Sequence, residues 1–144
     1  MNSLNFDEGY KELAINGDET RILKINLADS NLIIRFHDAA KSLEELMNNA
    51  KGIVLNNDGS AKEESQIETL KELTNTVREK IDYALNTNAC EIAFGNQSPL
   101  SLVNGRYLFE GFLDALKPFL EEEMKKQAKL SKKRIEKYTN QVKQ

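Results

Sequence analysis

The sequence has no tryptophan, one cysteine, one histidine and two prolines among its 144 residues, and each shortage excludes something. A single cysteine, Cys90, closes no disulfide within the chain, and with His37 as the sole histidine it builds no zinc site. A lone imidazole also leaves no histidine pair or triad for acid–base or nucleophilic chemistry. No apolar run approaches the roughly 18 residues that span a bilayer. The opening stretch Met1-Asn2-Ser3-Leu4-Asn5-Phe6-Asp7-Glu8 has neither the basic n-region nor the apolar h-region of a secretory leader. Glycine-rich phosphate loops, a G-x-S-x-G elbow and an H-E-x-x-H pair are missing too. Disulfide scaffolds, zinc modules and membrane spans are therefore excluded, no metal or cofactor is expected, and the cytoplasm is the expected compartment. The length suits one domain, able to bury roughly 70% of the surface its unfolded chain exposes.

Charge is plentiful, at 30% of residues, and unevenly placed. Residues 125–144 hold Lys125, Lys126, Lys129, Lys132, Lys133, Arg134, Lys137 and Lys143 against the single acid Glu136, a net of +7. The overall charge of −3 then leaves −10 for residues 1–124. That division predicts an acidic globular domain, 1–124, and a basic C-terminal helical tail, 125–144. The tail could meet nucleic acid, an acidic partner or the chain's own body. A plainer reading has its lysines complementing the negative pole of a helix end.

Hydropathy patterning predicts an α+β fold, mostly α. Tyr10-Lys11-Glu12-Leu13-Ala14-Ile15 and Thr20-Arg21-Ile22-Leu23-Lys24-Ile25-Asn26 alternate roughly, and Asn16-Gly17 between them suits a tight turn, so a β-hairpin is expected over 10–26. Its open edge is a candidate for self-association. Asp29-Ser30 offers an N-cap to a helix over 30–50 on the stripe Leu32, Phe36, Ala39, Ala40, Leu43, Leu46, Met47 and Ala50, with Gly52 as its stop. A polar loop over 56–63 follows. The second helix, 62–86, starts at Ser60 or Ser65 and buries Ile67, Leu70, Leu73, Val77, Ile81, Ala84 and Leu85. The stretch 88–104 reads as a structured connection. A third, long helix over 105–124 begins at Asn104-Gly105, and Pro118 inside it predicts a kink or break near Ala115. Beyond Met124 the apolar signal thins to Ala128, Leu130, Ile135 and Tyr138.

Reactive chemistry finds no footing in this pattern. His37 sits one position off its helix stripe and is expected in solvent or in a helix-capping role; Cys90, in the apolar piece Cys90-Glu91-Ile92-Ala93-Phe94, is expected as a buried hydrophobe. The loop Asn56-Asn57-Asp58-Gly59 fails as a calcium site, because its first ligand would fall on Val54. Glu121-Glu122-Glu123 occupy consecutive helix positions, point apart, and read as a solvated face. Catalysis is not expected. What remains is interaction surface: Phe109, Phe112, Leu113, Leu116, Phe119 and Leu120 cover more than one stripe of a single helix. Core packing accounts for part of that width. Phe109, Phe112, Leu113, Leu116 and Leu120 are the candidates for a groove that takes a partner helix.

Two stretches carry a resemblance. One is Ile15-Asn16-Gly17-Asp18-Glu19-Thr20-Arg21-Ile22-Leu23-Lys24-Ile25-Asn26 with Asp29, Arg35-Phe36 and Leu43-Glu44-Glu45-Leu46. The other is Ala93-Phe94-Gly95-Asn96-Gln97-Ser98-Pro99, then Leu108-Phe109-Glu110-Gly111-Phe112, Leu116-Lys117-Pro118-Phe119-Leu120-Glu121-Glu122-Glu123 and Lys133-Arg134-Ile135-Glu136-Lys137-Tyr138. In this order, over about residues 10–138, the chain resembles tail assembly chaperones of siphophages and prophages from low-GC Gram-positive bacteria. The resemblance implies a cytoplasmic morphogenesis factor encoded just upstream of the tape-measure protein. Such a factor keeps the long helical tape measure soluble, helps gather tail-tube subunits and is absent from the finished virion. A frameshift that appends a second domain is common in the family. Two other readings differ in class: a nucleic-acid-associated protein acting through the basic tail, and a structural subunit retained in the tail. Nucleic acid is disfavoured by the −10 body and by Tyr138 as the tail's single aromatic.

Overall fold

The computed structural model describes residues 1–50 and 64–142. The Gly52 stop, the 56–63 loop with its rejected calcium motif and a helix start at Ser60 lie outside the described residues. The fold is α+β and mostly helical, an N-terminal hairpin followed by helices of which the last is long.

Strands β1 (Tyr10–Ile15) and β2 (Asp18–Asn26) pair antiparallel, with Leu13 opposite Leu23 and Lys11 opposite Ile25. Asn16 and Gly17 turn the chain at φ 51° and 74°, the positive values a two-residue hairpin loop requires. The register slips after Ala14, because Ile15 pairs with Asp18. The Asp18 carboxylate accepts from the Thr20 amide (2.9 Å) and hydroxyl (2.6 Å), which holds the irregular stretch of β2. Those hydrogen bonds hold the Asp18 carboxyl below its ordinary range. Alternation puts Leu23 and Ile25 into the core, while β1 stays largely on the surface with one edge unpaired among the described residues.

Helix α1 (Ser30–Asn49) is capped by Asp29, whose side chain accepts from the Asn31 amide at 2.9 Å. It buries Leu32, Ala39, Leu43 and Met47, against helix α2 (Glu64–Leu85). Ser65 lies inside α2, so it does not start that helix. The face of α2 is Leu73, Val77, Ile81, Ala84 and Leu85; Ile67, expected among them, is exposed because it stands a turn and a half before the buried row begins. Asn86, at φ 55°, closes α2: its amide bonds the Tyr83 carbonyl, and the Thr87 amide bonds that of Asp82.

The connection over 88–104 contains two elements that periodicity does not announce. Helix α3 (Ala89–Phe94) takes its N-terminal partner from α2, since Asp82 accepts from the Cys90 amide at 2.9 Å. Strands β3 (Leu102–Val103) and β4 (Arg106–Tyr107) then form a small hairpin. Asn104-Gly105 is its turn, at φ 53° and 80°, and does not begin the last helix. Helix α4 runs from Leu108 to Val142. Its first amides are met by carbonyls of the connection, Leu108 by Ser101 (2.8 Å) and Phe109 by Pro99 (3.0 Å).

The break expected near Ala115 is absent, and α4 continues through Pro118. Pro118 and Asp114, four residues before it, are both exposed, so water can satisfy the carbonyl that loses its donor. Leu116 and Leu120, buried on either side of Pro118, hold the helix to the core. That core joins Leu23, Ile25 and Leu27 to the buried rows of α1 and α2, to Cys90 and Phe94, and to Phe109, Leu116 and Leu120.

Candidate functional site

Among the described residues, no three histidine, cysteine or acidic side chains come together to hold a metal ion. His37 is in solvent, with Nδ1 3.5 Å from the Asp38 carboxylate. Cys90 is fully buried, and burial pushes its thiol up to about 12, so it remains protonated across the neutral range. The three consecutive glutamates are not equivalent. Glu121 and Glu122 are exposed, but Glu123 falls on the row of Leu116 and Leu120, is buried, and accepts from the Gln127 amide group at 2.8 Å. The solvated face therefore comprises two carboxylates and not three.

The candidate face of α4 is divided by packing. Phe109, Leu116 and Leu120 are buried in the core, whereas Phe112 and Leu113 are half-buried and line different grooves. Leu113 lines a groove of about 410 Å³ against α1, floored by Phe36, Leu43 and Met47. Its rim is charged: Asp114 pairs with Arg106 and, at 3.5 Å, with Lys117, and Arg106 lies 3.8 Å from Glu110. The Arg106 guanidinium holds the Asp114 carboxyl below its ordinary range. Phe112 lines a groove of about 270 Å³ beneath the hairpin tip, edge-on to Phe94 at 5.4 Å between ring centres. Phe119, half-exposed, also lines that groove.

The basic residues Lys125, Lys126, Lys129, Lys132, Lys133, Arg134 and Lys137 all lie on α4, continuous with the helix that crosses the body. From Met124 to Thr139 every residue is exposed, a projection of about 24 Å at 1.5 Å per residue. None of those seven cations has an acid within 4.0 Å among the described residues. The last turn of α4 contains no basic residue. The helix-pole reading thus accounts for none of the seven, because that interaction fades within one turn. Met124, Leu130, Ile135 and Tyr138 are exposed on the same projection. No described helix is long and apolar enough to cross a membrane. Compared with protein-family models, with curated proteins and with solved structures, the chain matches none.

Proposed function

We propose that the protein is a tail assembly chaperone of the siphophage type. It binds the tape-measure protein in the host cytoplasm and helps recruit tail-tube subunits around it. The resemblance over residues 10–138 supplies the identity of the partner. One observation carries the reading: residues 124–139 extend α4 beyond the core as a fully exposed helix with both apolar and basic side chains. A helix that packs on nothing among the described residues draws its stability chiefly from propensity, and a partner surface would add the burial that packing does not. The two grooves beside α4 offer shorter apolar footholds, and the edge of β1 that is unpaired among the described residues offers a route to self-association.

The unpaired cations favour a second reading, in which the projection contacts nucleic acid. Its weakness is stacking, since Tyr138 is the one aromatic there. Co-expression with the tape-measure protein tests the proposal. The chaperone reading expects tape measure in the soluble fraction only when this chain is present. Equal insolubility with and without the chain counts against it.

A further inference from the structure

The apolar side chains of the projecting helix follow a spacing of their own. Met124, Ala128, Ile135 and Tyr138, with the small polar Ser131 between Ala128 and Ile135, stand at successive steps of four, three, four and three residues. A 3.5-residue period is that of a coiled-coil seam, and it places all five on one face of α4. At 100° per residue, the middle of this face is turned by about 60° from the row of Leu116 and Leu120 that packs into the core. The two overlap at one edge, since Tyr138 lies five whole turns beyond Leu120. The centre of the seam continues the side of α4 that lines the groove against α1, because Leu113 and Met124 are about three helical turns apart.

The seam is open. Met124, Ile135 and Tyr138 are 49%, 54% and 67% exposed, and nothing described covers them. Its flanks have one sign. The positions beside the seam are Lys125 and Lys132 on one side and Gln127 and Arg134 on the other, with no acid among them. Ala128 and Ser131 are small, so a partner backbone can approach closely at the middle of the seam.

We infer that the seam of residues 124–138 takes an amphipathic helix of another protein whose own seam is flanked by glutamates or aspartates. Charge selects this occupant over a second copy. Two tails side by side would bring together two sets of flanks whose only charges are positive, about 8–10 Å apart between helix axes, with no carboxylate beside the seam to offset them. An acidic-flanked helix places carboxylates against Lys125, Lys132 and Arg134 instead. This inference rests on the chaperone reading only in that a tape measure would be the natural bearer of such a helix.

The probe is a fluorescein-labelled synthetic peptide of about three heptads, with leucine on its seam and glutamate on its flanks. Binding is followed by anisotropy at about 150 mM salt, where loose charge pairing is screened. The peptide should bind the full chain saturably. The double variant Met124→Gln with Ile135→Gln, which leaves the charge unchanged, should weaken binding about tenfold or more. Lys132→Glu with Arg134→Glu should weaken it comparably. All four positions are exposed, so the circular dichroism of the body should not change. The inference is overturned if the glutamine variant binds as well as the parent, or if a lysine-flanked peptide competes equally. It is also overturned if sedimentation shows a dimer that the glutamine variant dissociates, for then a second copy is the occupant. A glutamine variant that still retains tape measure in cells overturns the seam and leaves the chaperone reading standing. Peptide binding that depends on the seam, with no tape measure retained by the parent chain, supports the seam and removes the chaperone reading.

Discussion

The guanidinium of Arg21 in β2 donates to the carbonyl of Ile92 at 3.2 Å, and also to that of Ala93, so the hairpin holds the C-terminal end of α3. These carbonyls belong to the last turn of α3 and have no partner within it. Two further arginines act in the same way. Arg78 donates to Gly95 and Gln97 at 2.8 and 3.0 Å, and Arg35 to Ala84 at 3.3 Å. Arg21→Ala should therefore destabilise the protein by about 1–3 kcal/mol, the range for buried acceptors left unpaired. Denaturant unfolding measures it. Arg21→Lys should recover only part of the loss, because an ammonium does not reproduce the planar fork.

Tyr107 has a buried hydroxyl with no hydrogen-bond partner among the described residues, and its ring stacks on Phe109 at 5.7 Å. Removing an unsatisfied hydroxyl while keeping the ring should leave stability unchanged or raise it by up to about 1 kcal/mol. Tyr107→Phe is thus expected to match or exceed the parent in thermal unfolding. Tyr107→Ala should lose about 3–5 kcal/mol with the stacked ring.

Cys90 and Tyr107 make stability fall in alkali. Burial raises both groups in the folded chain, Cys90 from 9.0 to about 12. The unfolded thiol loses its proton near its ordinary value while the folded one keeps it, so the unfolded state binds fewer protons and is favoured as pH rises. The contribution is intact below about pH 9 and diminishes between there and about pH 12. Unfolding free energy measured at pH 7 and pH 10 should show the decline, and Cys90→Ala should flatten it. A thiol reagent should label Cys90 at neutral pH only after unfolding.

Gly105 stands at φ 80° between β3 and β4. A β-branched residue is strained there, so Gly105→Val should cost about 1–3 kcal/mol. The loss should appear in unfolding of the body and leave the exposed 124–139 helix unaltered in helicity.

The hairpin, the Asp29 cap and the rows of α1 and α2 were legible because each rests on local rules: an Asn-Gly turn, an acceptor before an apolar period, and three- and four-residue spacing. The small β3–β4 hairpin follows the same Asn-Gly rule. Asn104-Gly105 was read instead as a helix start because the strands beside it are only two residues long and show no alternation. Helix α3 was hidden for a different reason. Six residues carry too little period, and its ends are held by Asp82 and Arg21 from elsewhere in the chain. Pro118 does not break α4, because its cost depends on which side of the helix faces water. The Phe109–Leu120 row is divided by packing into core and two grooves, a division its width in the sequence does not show. The tail's 4-3-4-3 spacing was present in the sequence throughout, obscured by counting Leu130, which lies off the seam.

The central claim is that this chain binds a long helical protein through specific contacts and not through charge alone. The direct measurement is an affinity pull-down of the tagged full chain from phage-producing cells, treated with nuclease and washed at low and at high salt. The account predicts one very long protein, the tape measure, retained through nuclease and both washes. Nucleic acid recovered without nuclease at low salt and lost at high salt, with no tape measure in any wash, would contradict it.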